Sequence, residues 1–285
     1  MIPSTFEYYS PSSLEEALSL LSTHTDDARL LAGGQSLLPL MKLRLAKPKV
    51  LIDLGRIAGM NTIRAEGDRI AIGALTTYSE MEGSELLKTC CPLLSQTASA
   101  VGDVQVRNQG TLGGALAHAD PAGDMPAAIL ALDAELKAVS PTGERWIKAQ
   151  DFFVTMLTTT LLPDEILTEI RAPTLEGAKT AYLKAARRAS GFAIVGIAVW
   201  MKSGRDATCK DIGLGVTGVT DRAYRAKGVE RLLRGKKLDQ KLLEEASAEV
   251  SHGMDVSEDI NASAEYRSHL AHVYTTRAIQ AAMNG

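Results

Sequence analysis

Two short stretches of this chain combine residue types that can hold an anion: Ala32-Gly33-Gly34-Gln35-Ser36 and Thr111-Leu112-Gly113-Gly114-Ala115. Paired glycines permit positive φ angles and let a ligand approach the backbone where a Cβ would otherwise stand. Successive N–H groups in such a conformation point into one concavity, which suits the oxygens of a phosphate. Ser36 and Thr111 add hydroxyl donors. Two loops of this kind can grip a diphosphate from opposite sides, so the pair reads as a dinucleotide site. Either loop alone reads better as a tight turn than as a ligand cradle, because 24 glycines in 285 residues is ordinary usage.

The commoner nucleotide signatures are missing from the expected places. A doubly wound fold sets Gly-x-Gly-x-x-Gly between a first strand and its helix, with an acidic residue about 20 positions on for the ribose. No such pattern links a first strand to a helix here, and no phosphate loop ends in Gly-Lys-Ser/Thr. The diphosphate is therefore expected between two loops of a different fold.

The elements that must position these loops alternate along the chain. Ser13-Leu-Glu-Glu16 fits a capping box, with Leu14, Ala17, Leu18 and Leu21 on one helical face. Strands are expected at 29–32, leading into the first glycine loop, and at 50–54 and 69–74. A helix near 93–100 precedes the second loop, and 126–132 reads as another. Residues 135–139 and 146–147 form a hairpin around Pro141-Thr-Gly143. After 166–170, Pro173 and Gly177 break the pattern. Beyond them, 181–186, 194–202 and 212–217 are strand-like, and helices follow at about 223–234, 239–251 and 263–283. The last shows Tyr266, Leu270, Val273, Tyr274 and Arg277 at helical spacing. Mixed α+β in two domains fits this order better than one parallel sheet.

Composition excludes several classes. With 45% hydrophobic and 23% charged residues, there is ample core for two domains. A net charge of −3 leaves no footprint for nucleic acid. No apolar run approaches the roughly 20 residues of a transmembrane helix. The N-terminal stretch lacks the basic start and apolar core of a signal peptide, so a cytoplasmic protein is expected. The three cysteines, Cys90, Cys91 and Cys209, fit neither a cluster spacing nor an ordinary disulfide. His269 and His272, with Glu265 a turn earlier, read as solvated surface residues, so no metal site and no catalytic nucleophile or base is expected. His118 reads as structural, and 227–237 as a basic helix face and turn.

The stretch from Ala32-Gly-Gly-Gln-Ser-Leu-Leu-Pro-Leu-Met-Lys-Leu-Arg-Leu45 to Leu51-Ile-Asp-Leu54 resembles the FAD-binding medium subunit of molybdenum hydroxylases. So does Val106-Arg-Asn-Gln-Gly-Thr-Leu-Gly-Gly-Ala115, running on to His118-Ala-Asp-Pro-Ala-Gly-Asp-Met-Pro126. The likeness is to the flavoprotein subunits of aerobic carbon monoxide dehydrogenase and xanthine dehydrogenase-type enzymes, and covers essentially the whole chain. It implies an α+β fold: a two-part FAD-binding domain of the vanillyl-alcohol oxidase/PCMH-like type over 1–175, with subdomains of about 1–56 and 57–175. A smaller C-terminal domain of antiparallel sheet plus helices would fill 176–285. It implies FAD in this chain, with the molybdopterin cofactor in a large partner subunit and [2Fe-2S] clusters in a small one, assembled as a dimer of heterotrimers. Electrons would pass from the iron–sulfur clusters to this chain and on to an external acceptor. The flavin carries the redox chemistry, while the protein orients and tunes it.

The cofactor residues so implied are Ala32, Gly33, Gly34, Gln35 and Ser36 in the first loop; Val101; and Thr111, Leu112, Gly113, Gly114 and Ala115 in the second. Four more are Asp124, Leu167, Lys184 and Phe192. Asp124 is either a hydrogen-bond acceptor for ribose or ribityl hydroxyls or simply the cap of a helix at Met125-Pro126; Asp120 offers a weaker version of the same role. The resemblance sets Leu167 against the isoalloxazine, whereas periodicity makes it a half-buried strand residue. Lys184 is either a cation near the flavin or a solvated strand lysine. Phe192 either stacks on the ring or packs in the core. Gln35 stands where carbon monoxide dehydrogenases often have histidine, Ala115 where relatives carry Asn or Asp, and Gly191 where they carry aspartate. On this reading a branched side chain at Gly33 or Gly114 abolishes FAD binding and leaves the chain folded. The competing readings are a free-standing FAD-dependent dehydrogenase or oxidase and a flavin-free assembly subunit.

Overall fold

The computed structural model describes residues 2–204 and 208–284. Its first unit is a three-stranded parallel sheet: β1 (Glu7–Tyr9), helix α1 (Leu14–Thr23), β2 (Ala28–Leu31), helix α2 (Leu37–Lys42) and β3 (Val50–Asp53), in the order β1-β3-β2. The Ser13 hydroxyl caps α1 by accepting the Glu16 N–H at 3.2 Å. Only half of the expected capping box forms, because the Glu16 carboxylate takes the N–H of Ser12 at 2.9 Å instead of that of Ser13. Ala17, Leu18 and Leu21 are buried, as the periodicity predicts.

The second unit is a five-stranded antiparallel sheet, β4-β5-β10-β6-β7. Its strands are β4 (Ile63–Glu66), β5 (Arg69–Gly73), β6 (Glu135–Ser140), β7 (Gly143–Lys148) and β10 (Ile166–Pro173). The β6–β7 hairpin closes with Ser140 opposite Gly143, around the predicted turn. Between β5 and β6 run six short helices: α3 (Tyr78–Gly83), α4 (Glu85–Cys90), α5 (Pro92–Ser99), α6 (Val104–Gln109), α7 (Leu112–His118) and α8 (Met125–Ala131). Helix α9 (Ala149–Phe152) and the small ribbon β8 (Phe153–Thr155) and β9 (Thr158–Thr159) precede β10. β10 continues to Pro173, three residues past the predicted end; proline is tolerated there because it closes the strand.

The third unit is an antiparallel sheet of β11 (Lys179–Ala185), β12 (Val195–Ser203), β13 (Cys209–Thr217) and β14 (Tyr224–Arg225), covered by α10 (Lys227–Leu233), α11 (Gln240–Ala248) and α12 (Ala264–Asn284). The helix expected from 223 begins only at Lys227, because Tyr224 and Arg225 pair with Val216 and Gly215. The face predicted for α12 is also displaced. Ala271, Thr275, Ala278, Ile279, Ala282 and Arg267 are buried, while Tyr266 is exposed. Small residues let the helix lie close on the sheet, so hydrophobicity alone pointed one residue astray.

Helix α8 is buried along its whole length. It belongs by sequence to the second unit but lies on β13, where Gly213 and Gly215 leave room for its main chain. A Cβ on Gly215 would sit 1.9 Å from Ala127 O, and one on Gly213 would sit 2.3 Å from Ala131 O. Trp200 Nε1 donates to the same Ala131 carbonyl at 2.7 Å. Gly213-Leu-Gly215-Val-Thr-Gly218 thus has the spacing of a nucleotide fingerprint, but its first two glycines lie inside a strand and accommodate a helix, and Gly218 follows the strand's end. Among the described residues no helix is long and apolar enough to cross a membrane.

Candidate functional site

Strand β2 ends at Leu31 and releases the chain into the first glycine loop, where Gly34 has φ of +70°. From Gly33 to Leu37 no backbone N–H has an acceptor among the described residues. The first intramolecular bond of the next helix is Leu38 N–H to Gly34 O at 3.0 Å. The Ser36 hydroxyl makes no cap bond. These are five consecutive half-buried or exposed amides plus a hydroxyl, with no carboxylate in the loop. Backbone donors near protein surface are stable only when water or a ligand satisfies them, and an anion with several oxygens can do so for a row of them at once.

The second loop is built differently from what its sequence suggests. Leu112 N–H goes to Thr76 O at 2.9 Å, Gly113 N–H to Ala74 O at 2.8 Å and Ala115 N–H to Thr111 O at 3.1 Å. Gly114 N–H goes to the Thr111 hydroxyl, which caps α7. Only Thr111 itself keeps an N–H without a protein acceptor among the described residues. Of the two loops expected to offer open amides, only the first has a row of them, and the second departs from that expectation. The second contributes shape: Leu112 is in the core, and a Cβ on Gly113 would strike Ala74 Cβ at 2.5 Å.

The two loops nevertheless meet. A Cβ on Gly33 would sit 1.9 Å from Gln109 O and 2.9 Å from Gly110 Cα, and one on Gly114 would lie 3.6 Å from Ala32 Cβ. Gly33 thus serves the contact between loops, so a side chain there would disturb packing as well as any ligand. Ala115 is half-buried beside them.

A second cluster adjoins the loops through Gly110, over which the buried ring of Tyr78 lies. At its centre is the buried carboxylate of Asp124. Its Oδ2 accepts from Lys184 Nζ at 3.0 Å, and its Oδ1 accepts from the Tyr182 hydroxyl. Lys184 also donates to Ala100 O at 3.1 Å, which brings Val101 to the same place. Asp124 occupies the N-cap position of α8, but its side chain makes no cap bond. Nor is Lys184 solvated, since its side chain is only 9% exposed. Burial pushes the Asp124 carboxyl above its ordinary value, against the pull of Lys184 and Tyr182. Burial, reinforced by Asp124, drives the Tyr182 phenol well up. Tyr182 was not among the expected residues, although it precedes Lys184 by two on one strand and so shares its face. A Cβ on Gly196 would fall 2.4 Å from its hydroxyl oxygen, so that glycine makes room for the phenol.

Leu167 is buried in the core, not half-buried. Its neighbour Thr168 accepts the Ala74 N–H at 2.9 Å, which ties β10 to the strand end that holds Gly113. Asp120 accepts the Ala122 N–H at 2.8 Å and shapes the turn before Asp124. Phe192 stands apart: it is 68% exposed on the β11–β12 connection, so it is not a core residue. Among the described residues no group of His, Cys, Asp and Glu could hold a metal, and all three cysteines are free. Burial pushes the Cys91 thiol up to about 12, which leaves it unreactive.

Residues 4–175 match the family described as the FAD binding domain in molybdopterin dehydrogenase, and 180–282 match the CO dehydrogenase flavoprotein C-terminal domain. The carbon monoxide dehydrogenase medium chain of Hydrogenophaga pseudoflava is 39% identical, over 99% of this chain and 98% of that one. The glyceraldehyde dehydrogenase medium chain of Sulfolobus acidocaldarius is 38% identical, over 98% and 99%. A solved carbon monoxide dehydrogenase from Hydrogenophaga pseudoflava, lacking the Mo-pyranopterin moiety of its cofactor, superimposes with a TM-score of 0.97 at 38% identity, covering 100% of this chain and 99% of that one.

Proposed function

Since this chain belongs to the family of FAD-binding medium subunits of molybdenum hydroxylases, we propose that it works as the electron-transfer subunit of such a complex, between the [2Fe-2S] clusters of a small subunit and an external acceptor. The observation that carries the cofactor site is the row of five open amides from Gly33 to Leu37, closed on one side by the second glycine loop. This donor set fits a diphosphate, whose oxygens would satisfy the row; nothing else in the loop offers a counter-charge. When bound, FAD supplies the redox chemistry, and this chain's residues supply no obligatory acid or base.

Ala32, Gly33, Gly34, Gln35 and Ser36 would hold the anionic bridge by main-chain and hydroxyl donation. Thr111, Leu112, Gly113, Gly114 and Ala115 would form the opposite wall. Val101, Asp124, Leu167 and Lys184 would line the continuation of the site, where a buried ammonium held by a carboxylate fixes a positive charge at a defined place. Phe192 would enter only from the exposed connection after β11. The division at 1–175 and 176–285, with subdomains of about 1–56 and 57–175, follows the change of sheets along the chain. A molybdopterin-bearing large subunit, assembly as a dimer of heterotrimers and a cytoplasmic location complete the reading.

The full chain, purified and titrated with FAD, is expected to take up one flavin per chain with a shifted visible spectrum. A chain that stays colourless in excess FAD would overturn the reading in favour of a flavin-free assembly subunit. Turnover of a small organic substrate by the flavin-loaded chain alone would instead mark a free-standing dehydrogenase. Co-expression with the neighbouring small and large subunits should return one complex bearing molybdenum, iron and flavin.

A further inference from the structure

The connection from β11 to β12 forms one wall of a cavity of about 440 Å³, within the range of small-molecule sites. The turn at Ala122 and the segment from Asp259 to Arg267 form the other walls. Arg187 and Arg188 are exposed at its mouth, and neither makes a side-chain hydrogen bond or ion pair with any described residue. Phe192 presents its ring beside them.

At the inner end lies Arg267, only 4% exposed. Its Nη1 donates to Ile194 O at 2.7 Å and Gly218 O at 2.6 Å, and its Nη2 to Asp259 Oδ1 at 2.9 Å. Those bonds hold the ends of β12 and β13, but its Nε is buried without a partner. A buried guanidinium leaves a donor idle only at a cost, which a ligand acceptor removes. Three guanidinium groups face one carboxylate here, so the lining carries a net charge of +2 (three positive less one negative). Asn261 adds a neutral amide. Planar guanidinium groups and a phenyl ring suit a flat molecule that carries an anionic group.

We propose that this cavity is a binding site for a flat anionic organic ligand, an aromatic sulfonate, carboxylate or phosphate, with its charge on Arg187, Arg188 and Arg267 and its ring against Phe192. The site is separate from the amide row of the first glycine loop. It adjoins Asp124, two residues from Ala122, so a ligand held here lies beside the flavin region. To that extent its role, though not its existence, rests on the proposed function.

The test uses the full chain saturated with FAD, so that the cofactor site is not the one counted. Isothermal titration with anthraquinone-2-sulfonate, and with 2-(hydroxymethyl)anthraquinone as its uncharged counterpart, reads the affinity. The sulfonate is expected to bind at least tenfold more tightly, with an affinity that falls as salt rises. Arg187→Ala combined with Arg188→Ala should weaken it at least tenfold, and Phe192→Ala severalfold; all three residues are exposed, so the fold is kept. Equal affinity for the two probes, no binding of the sulfonate, or a double variant that binds as the parent does would overturn the proposal. Loss of flavin itself would be read separately from the visible spectrum and would count against the proposed function.

Discussion

Replacing Gly33 by alanine separates a ligand role from an architectural one. The added Cβ would sit 1.9 Å from Gln109 O, 2.7 Å from Gln109 C and 2.9 Å from Gly110 Cα. All three are main-chain atoms, so no rotamer change relieves the clash. Reaching an ordinary contact near 3.4 Å requires the two loops to part by roughly 1.5 Å, and overpacking of this kind costs about 1–3 kcal/mol. The upper end applies, because helix α6 and the start of α7 are held on both sides. At about 2–4 °C per kcal/mol for a chain of this size, the melting temperature should drop by roughly 6–12 °C. The measurement is calorimetry on the flavin-free chain, where no ligand effect enters. Gly114→Ala is the control: its Cβ would meet the movable Thr111 hydroxyl at 2.7 Å and Ala32 Cβ at 3.6 Å, so stability should change by about 1 kcal/mol or less. A Gly33→Ala chain that melts with the parent yet fails to bind FAD would refute the loop contact and return Gly33 to a purely ligand-facing role.

Gln35→Glu places a negative charge at the exposed edge of the amide row, so FAD affinity should fall about three- to tenfold, and less at high salt. Asp124→Asn strips the buried Lys184 of its counter-charge and should lower stability by about 3–5 kcal/mol in chemical denaturation. Adding Lys184→Met should restore most of that loss, whereas an unchanged deficit would show that the pair is not what Asp124 supports. Glu165 accepts from Arg145 Nε at 2.6 Å, from its Nη2 at 2.8 Å and from the Leu162 N–H at 2.7 Å. The Arg145 contact first, and then the Leu162 N–H, hold its carboxyl below the ordinary 4.5. Its folded value is therefore the lower one, so its stabilisation is full above about pH 4.5 and fades as pH falls through that lower value. Glu165→Gln should accordingly cost about 1–3 kcal/mol near neutrality and progressively less in acid, read from denaturation curves across pH; a pH-independent difference would contradict this.

Both glycine loops and the meeting of their segments were legible as candidates in the sequence, because paired glycines beside small hydroxyls stand out at the end of an apolar run, although a tight turn uses the same residues. What the pattern could not convey was which glycine answers to a ligand and which to another stretch of backbone. Gly33 and Gly113 face Gln109 and Ala74, contacts set by tertiary packing alone. Asp124 and Lys184 were named as separate candidates, and their pairing is visible only once Asp124, at the start of α8, reaches β11. Tyr182 was within reach of a period-two argument, but a tyrosine on a strand has no chemical signature until its partner is known. The displaced face of α12 shows the same limit: alanine and threonine weigh little on a hydropathy scale, yet they decide how near a helix can come. Arg267, buried and tied to Ile194 and Gly218, was invisible for the opposite reason, since arginine is read as a surface residue.

Because α8 precedes the junction near residue 175 and yet packs on the sheet that follows it, that junction is a seam in the chain and not in the body. Ala127 and Ala131 expose their carbonyls to glycines more than 80 positions downstream, close enough to exclude a methyl group. Chimeras that exchange C-terminal portions among homologous subunits would therefore have to transplant the helix together with its glycine-bearing strand. Recombination at the linker alone would join two halves whose mating surfaces were shaped by different histories.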